Sequence, residues 1–266
     1  LPSSGFSRSI NTNEPVAPPH PSEAGLKISI VVPAFNEEKL IAETLRRIRA
    51  AMDAFDRLGW PSELIVCDNN STDRTAELAR SAGATVVFEP VNQIARARNK
   101  GAEAASGDWL IFVDADSHPS PELFAEVAER IQTGRYLYGG CIVKMDGAGL
   151  VVGLVGGLWN TISRVTKYAA GSFIFCETAA FRQIGGFDNQ LFASEELDLS
   201  KRLKRLAREQ GKRAIILRRH PLVTSARKMH LYSSREHLRL LVRTIFGWRR
   251  TLTNREACHL WYDGRR

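Results

Sequence analysis

The sequence predicts an α/β fold, a mixed, mainly parallel sheet flanked by helices. Two patterns carry this expectation. Short apolar, β-branched runs alternate with longer segments of helical periodicity, and the connections between them are brief, as right-handed strand–helix–strand crossovers require. Three of those runs also end in polar clusters, at Pro33–Glu37, Asp68–Asp73 and Asp114–Asp116. In sheets of this kind ligands bind beyond the carboxyl ends of the strands.

Taken in order, Lys27–Ala34 (KISIVVPA) is a β-branched run that Pro33 brings to its end, so it reads as the first strand. Glu37–Leu58 carries Ile41, Leu45, Ile48, Met52 and Phe55 at helical spacing. Glu63–Cys67 (ELIVC) is short and apolar throughout, as a strand covered on both faces is. Thr72–Ser81 reads as helix, Ala84–Glu89 as strand, Gln93–Ala105 as helix and Trp109–Val113 (WLIFV) as a buried strand. The second half is less regular. It offers a strand near Tyr136–Met145, a strand at Ser172–Cys176, a helix from Glu195 to Arg208, a strand at Arg213–Leu217 and an amphipathic helix near Ser233–Phe246. The glycine-rich, uncharged stretch Gly147–Ser163 falls short of the ~20 apolar residues of a spanning helix and reads as buried or surface-docked. Residues 1–25, dotted with Pro15, Pro18, Pro19 and Pro21 and lacking an apolar signal region, read as a flexible leader.

Composition narrows the class. With 266 residues, 44% hydrophobic and 25% charged, the chain is not collagen, a disordered polymer or a coiled coil. Cys67, Cys141, Cys176 and Cys258 form no C-x-x-C pair, which argues against a disulfide framework or a zinc site and for a reducing, cytoplasmic location. The net charge of +8 is uneven: residues 200–266 hold 19 Lys and Arg against 4 Asp and Glu. Such a region suits an anionic partner (a nucleoside diphosphate, a lipid headgroup or nucleic acid), the plain alternative being a solvated basic face. Nothing resembles a zinc finger or an RNA-recognition strand, so nucleic acid is not expected.

Five clusters carry candidate chemistry. VVPAFNEE (31–38) makes a strand-to-helix turn in which Asn36 caps and Glu37 and Glu38 favour the helix start; its backbone N–H groups could also face a ligand. In Asp68-Asn69-Asn70-Ser71-Thr72-Asp73, Ser71 or Asp73 serves as cap and leaves Asp68 to accept a nucleobase imide N–H. In Asp114-Ala115-Asp116, two carboxylates at the end of a buried strand repel unless positive charge sits between them. A divalent cation held by oxygens answers this, and Mg2+ or Mn2+ commonly shares such a site with a diphosphate. Ser194-Glu195-Glu196-Leu197-Asp198 holds more carboxylates than a helix cap needs, which suggests a general base at a helix mouth. In Thr224–His230, Arg227 and Lys228 suit a leaving diphosphate, and His230 is a candidate metal ligand.

In this order VVPAFNEE, DNNSTDRT, ARARNKGAEAASGDWLIFVDADS, GSFIFCETAAFRQIGGFD and SEELDLSKRL resemble glycosyltransferase family 2, across residues 27–210. The resemblance implies the GT-A fold, Rossmann-like, and inverting transfer from a UDP- or GDP-linked sugar to a hydroxyl of a glycan, lipid or small molecule, with Mg2+ or Mn2+. It implies that Pro33, Phe35 and Glu37 line the donor's base and ribose, that Asp68 meets the base, that Asp114 lies near ribose and metal, and that Asp116 is the main metal ligand. The family's Glu-Asp pair falls on Glu195-Glu196. That puts the base at Glu196, where the usual Asp is a Glu, and keeps Asp198 as a second candidate. Gly185, Gly186, Phe187 and Asp188 resemble the loop that shapes the acceptor side; Arg227, Lys228 and His230 resemble a phosphate- and metal-binding segment. The implied organisation is a leader (1–25), a GT-A domain (26–232) with nucleotide-binding (26–117) and acceptor (118–232) halves, and a basic tail (233–266). The tail's Leu238, Leu241, Val242 and Ile245 against Arg239 and Arg243 suit peripheral contact with anionic lipid on the inner face of a membrane. Two other readings stand beside this one. A nucleotidyltransferase on a similar sheet would want a glycine-rich phosphate loop, and neither G-x-x-x-x-G-K-[ST] nor G-x-G-x-x-G occurs. The other is a non-catalytic protein that binds anionic surfaces.

Overall fold

The computed structural model describes residues 25–146, 157, 160–225 and 253. Strand β1 (Ile28–Ala34) is buried along its whole length and shows why the sheet has a core on each face. Ile28, Ile30, Val32 and Ala34 enter one apolar cluster and Val31 the other, as the two-residue period of a strand dictates. β4 (Trp109–Val113) divides in the same way, with Trp109, Ile111 and Val113 on the first face and Leu110 and Phe112 on the second. Helices α1 (Ile41–Asp56), α2 (Thr75–Ser81) and α4 (Pro121–Gln132) supply the first face; α3 (Ile94–Ala104), α5 (Thr178–Gln183) and α6 (Glu195–Glu209) supply the second.

Among the described residues the sheet has eight strands: β2 is Ser62–Asp68, β3 Thr85–Phe88, β5 Ser117–His118, β6 Tyr136–Asp146, β7 Phe173–Glu177 and β8 Arg213–Ser225. Their order is β3-β2-β1-β4-β7-β6-β8-β5. Pairing is parallel from β3 through β4 and between β6 and β8; β7 runs antiparallel to β4 and β6, and β5 antiparallel to β8. The direction of winding reverses at the β1–β4 boundary, where sheets of this type open a crevice. Pro33 contributes to that opening. The β1–β4 ladder stops at Val31–Phe112 while β1–β2 continues to Ala34–Asp68, so the proline, which has no N–H to give, lies beyond the ladder it would break.

Several expectations need correction. The first helix begins at Ile41, not Glu37, because Asn36 takes a left-handed conformation (φ 52°) and the N–H groups of residues 36–38 bond to the β2–α2 loop and the first residue of α2. The second begins at Thr75, since Thr72 and Arg74 donate to Asn36 and Glu38 across the same junction. The last strand continues past Leu217 to Ser225, through a register shift opposite Cys141–Val143 that accommodates Pro221. α4, β5 and α5 were not expected. Most of Gly147–Ser163 lies outside the described residues, as do the leader's residues 1–24, the candidates Arg227, Lys228 and His230, the Ser233–Phe246 helix and the tail except Thr253. Among the described residues no helix is long and apolar enough to cross a membrane.

α3 lies directly on the sheet because its inner face is small: Ala95, Ala97, Gly101 and Ala102 are buried. A Cβ at Gly101 would stand 2.4 Å from Cγ1 of the buried Val31. Alanine favours a helix over glycine by about 1 kcal/mol, but overpacking against a stiff β-branched side chain costs about 1–3 kcal/mol and dominates. Gly101→Ala is therefore expected to lower the urea midpoint of unfolding; an unchanged or higher midpoint would refute this close approach.

Candidate active site

The carboxyl ends of β1 and β2 are joined to each other. Asn36 accepts from the Thr72 N–H (2.9 Å), and the N–H groups of Asn36, Glu37 and Glu38 donate to Ser71 Oγ, Thr75 Oγ1 and Asp73 Oδ2 at 3.0, 2.7 and 3.1 Å. The turn after β1 thus spends its donors on the neighbouring loop and does not hold them toward a ligand. Asn36 does not cap α1, whose first turn lacks a side-chain cap. Asp73 is the residue that accepts the Thr75 N–H (2.9 Å). Asp68 Oδ1 accepts the Ser71 N–H (3.1 Å), so this carboxylate also shapes its own turn. Pro33, Glu37 and Asp68 are buried and Phe35 half-buried beside the crevice.

None of these four is among the residues that line a cavity of about 300 Å3 bounded by Arg98, Asp114, Asp116, Gly171, Glu195 and Glu196. Three elements bring these side chains together: α3, the end of β4 and the mouth of α6. Asp116 is 5% exposed, and its carbonyl accepts the Ser225 N–H (3.1 Å), which ties it to the end of β8. Arg98 is 1% exposed. Its Nη1 donates to Glu195 Oε1 at 2.8 Å, and its Nη2 donates to Asp114 Oδ1 at 2.9 Å and to the Gly171 carbonyl at 2.7 Å. The positive charge that the Asp114–Asp116 pair needs is therefore supplied in part by a guanidinium, which the sequence alone did not identify. The available signal was positional: Arg98 falls in the small-residue stripe Ala95, Gly101, Ala102 that faces the sheet.

Glu195 and Glu196 both have their carboxyls raised. For Glu195 burial is the main cause, opposed by Arg98. Glu196 is pushed up to about 8 by desolvation first and by Glu195 second, against the pull of Arg98. Asp198 is not part of this group. Two residues along a helix turn a side chain by about 200°, and Asp198 bonds Arg202 Nε at 2.7 Å in a separate shallow pocket with Gly185, Gly186, Phe187 and Asp188. Of the two candidate bases, Glu196 lines the cavity and Asp198 does not. Ser194, at the helix N-cap position with φ 60°, makes no side-chain cap bond either.

The GGFD segment also lies outside the cavity. Gly185 and Gly186 adopt positive φ, and Phe187 is buried against Phe112 and Phe181. Asn99 of α3 and Gln93 at its N-cap position hold the following loop. Asn99 bonds the Phe187 N–H and carbonyl (both 2.9 Å), and Gln93 Nε2 donates to the Asn189 and Leu191 carbonyls at 2.8 and 2.9 Å. That brings Phe192 and Ala193 to the cavity wall.

The donor set suits a hard divalent cation. Asp114, Asp116, Glu195 and Glu196 line one cavity, and among its described lining residues Arg98 carries the positive charge. No group of three or more His, Cys, Asp or Glu side chains among the described residues could hold a metal alone. Mg2+ and Mn2+ sites commonly use one or two carboxylates and complete the shell with water and phosphate oxygens. Asp116, with the remaining oxygen of Asp114, fits that pattern.

The comparisons with known proteins agree with this architecture. The family model described as Glycosyl transferase family 2 matches residues 29–183. A dolichol-phosphate mannosyltransferase of Pyrococcus furiosus is 32% identical over 130 residues, 43% of this chain and 35% of that protein. An undecaprenyl-phosphate 4-deoxy-4-formamido-L-arabinose transferase of Pseudomonas paraeruginosa is 36% identical over 119 residues, 40% of this chain and 33% of that protein. The chain thus spans about a third of the length of these curated relatives. Among solved structures, a mannosyltransferase from Pyrobaculum calidifontis in complex with GDP-Man and Mn2+ superposes with a TM-score of 0.63 at 20% identity, covering 90% of this chain and 65% of that one. Glucosyl-3-phosphoglycerate synthase from Mycobacterium tuberculosis gives 0.58 at 23% identity, covering 89% and 81%. By the family match over more than half its length, and by a sheet topology shared with GT-A glycosyltransferases, this chain belongs to glycosyl transferase family 2.

Proposed function

We propose that the chain transfers a sugar, with inversion, from a UDP- or GDP-linked donor to a hydroxyl acceptor. One observation carries the reading: Asp116, suited to a metal-bound diphosphate, and Glu196, a carboxyl raised toward neutral pH, line the same cavity. In a single displacement the acceptor oxygen attacks C1 as the C1–O bond to the diphosphate breaks. The acceptor proton passes to Glu196, and the nucleoside diphosphate leaves with the bond's electrons. A divalent cation bound at Asp116 would neutralise that departing charge. Pro33, Phe35, Glu37 and Asp68 are assigned to the donor's base and ribose, and Arg227, Lys228 and His230 to its phosphates and metal, by family resemblance.

Two relatives are named for lipid-phosphate carriers, and a lipid acceptor belongs among the candidates here. Glu196 favours a hydroxyl. A phosphate monoester is already ionised at pH 7, whereas an alcohol needs a base to take its proton. Peripheral contact with anionic lipid remains part of the proposal through the basic residues 200–266. The nucleotidyltransferase alternative loses ground: the N–H groups after β1 that would cradle phosphates are bonded to Ser71, Thr75 and Asp73.

A thermal-shift panel of UDP-, GDP-, ADP- and dTDP-sugars, each with and without Mn2+ or Mg2+, tests the reading. A ligand that binds the native state raises the melting temperature by mass action. A shift for at least one nucleotide sugar that requires the metal is expected. No shift from any pair would sink the proposal.

A further inference from the structure

We propose that Arg98 is a positioning residue: its guanidinium locks Asp114, at the end of β4, to Glu195, at the mouth of α6, and so fixes Glu196 relative to the donor end of the cavity. This inference rests on the sugar-transfer reading and deepens it.

The geometry joins three separate segments through one side chain. Arg98 leaves the middle of α3, reaches Glu195 with Nη1, and reaches Asp114 and the Gly171 carbonyl with Nη2. Its Cζ lies 5.3 Å from the centre of the Phe187 ring, which closes the remaining side. Lysine could not replace it, because a point charge on a flexible stem cannot hold two carboxylates on different elements in one plane.

The position reaches Glu196 by two routes. Glu195 is its chain neighbour and is clamped. In addition, a Cβ on Gly171 would meet Arg98 Nη2 at 3.3 Å and Glu196 Cδ at 3.5 Å. Guanidinium, glycine backbone and the Glu196 side chain are thus packed in succession, so that a methyl group at Gly171 would touch both side chains and crowd the guanidinium. A stability role alone does not account for the arrangement. Arg98 Nε is buried without a hydrogen-bond partner, and a buried ion network is commonly no more stable than apolar residues of the same volume. What the network supplies is a fixed distance between groups on two elements.

The test uses the full chain and two variants. In Arg98→Met/Glu195→Met the ion pair is replaced by apolar side chains of similar volume. In Arg98→Lys the charge is kept and the fork lost. Without metal or nucleotide, the double variant, which leaves only the partly exposed Asp114 without its guanidinium, is expected to melt closer to the parent than Arg98→Lys, which leaves the buried Glu195 poorly paired. Turnover is read as nucleoside diphosphate released from the nucleotide sugar of largest thermal shift, with water as acceptor. Both variants are expected to lose about 100-fold in kcat, the scale of a misplaced catalytic group. Calorimetric affinity for Mn2+–UDP or Mn2+–GDP should change by less than about fivefold, because the loss falls on the chemical step. Stability and turnover therefore rank the variants differently, which a purely structural residue would not produce. A folded double variant with parental kcat overturns the proposal. So does restoration of kcat by Arg98→Lys, which would make charge sufficient. If the double variant does not fold, Arg98→Lys decides by the same criterion. A parent chain that takes up neither Mn2+–UDP nor Mn2+–GDP overturns the sugar-transfer reading instead, before Arg98 is touched.

Discussion

Asp116→Ala should abolish metal-dependent turnover, by about 10³-fold or more, and leave the fold intact. The magnitude follows from the several kcal/mol that a bound cation contributes to stabilising a departing diphosphate, at 1.36 kcal/mol per factor of ten. Asp116 is placed to make that contribution. It sits 5% exposed on the cavity wall, while Asp114 already has one oxygen committed to Arg98. The fold should survive because bonds to main-chain carbonyls hold the segment, from the Ser225 N–H to Asp116, from the Ser117 N–H to Asp114 and from Thr44 Oγ1 to Ala115, and truncation of the Asp116 side chain spares all three. The measurement is donor turnover across a Mn2+ titration, beside a thermal melt of the metal-free protein. A variant that melts like the parent and responds to Mn2+ like the parent would disprove the metal assignment.

The second large effect concerns Glu196. Glu196→Gln keeps the size and removes the base, and should lower kcat by about 10²–10⁴-fold. The pH dependence has a definite sign. The carboxyl is raised to about 8, chiefly by desolvation and next by Glu195. Below that pH it is protonated and cannot accept the acceptor's proton. The parent's kcat/KM, which reports the free enzyme, should therefore rise about tenfold per pH unit up to about pH 8 and then level off, while the Gln variant shows no such rise. Linkage provides a control for folding. A carboxyl whose folded value lies above its unfolded one loses stability as pH climbs from the ordinary carboxylate range through about 8, since charging it is harder in the folded state. At pH 8 and above, Glu196→Gln should melt no lower than the parent. A flat parental profile between pH 6 and 8 would exclude Glu196 as the base.

Much of the first half was legible because its signals are local. β-branched runs, helical stripes and turn residues lie within a few positions of one another, and β1 to β4 fall where the pattern puts them. α4 carries a local signature too, a Ser-Pro pair at its start: Ser120 caps it by accepting the Leu123 N–H at 3.2 Å, and Pro121 opens its first turn. The second half of β8 had no such signal. Arg218, Arg219, His220 and Pro221 interrupt its apolar run, and the strand continues because β6 pairs with it on both sides of the bulge and β5 pairs with Val223 and Thr224 beyond it.

The site divides along the same line. The amino-acid order by itself determined the strand–helix alternation, the acidic clusters at strand ends and the family, since each depends on spacing along the chain. Tertiary structure alone decided that Arg98 neutralises Asp114, that Glu196 shares a cavity with Asp116, and that Asp198 turns away toward Arg202. The physical reason is that charge, burial and proton affinity depend on distance through space. Asp114 and Glu195 lie far apart in the chain, and only the folded sheet brings both within reach of one guanidinium in a medium too dry to screen them.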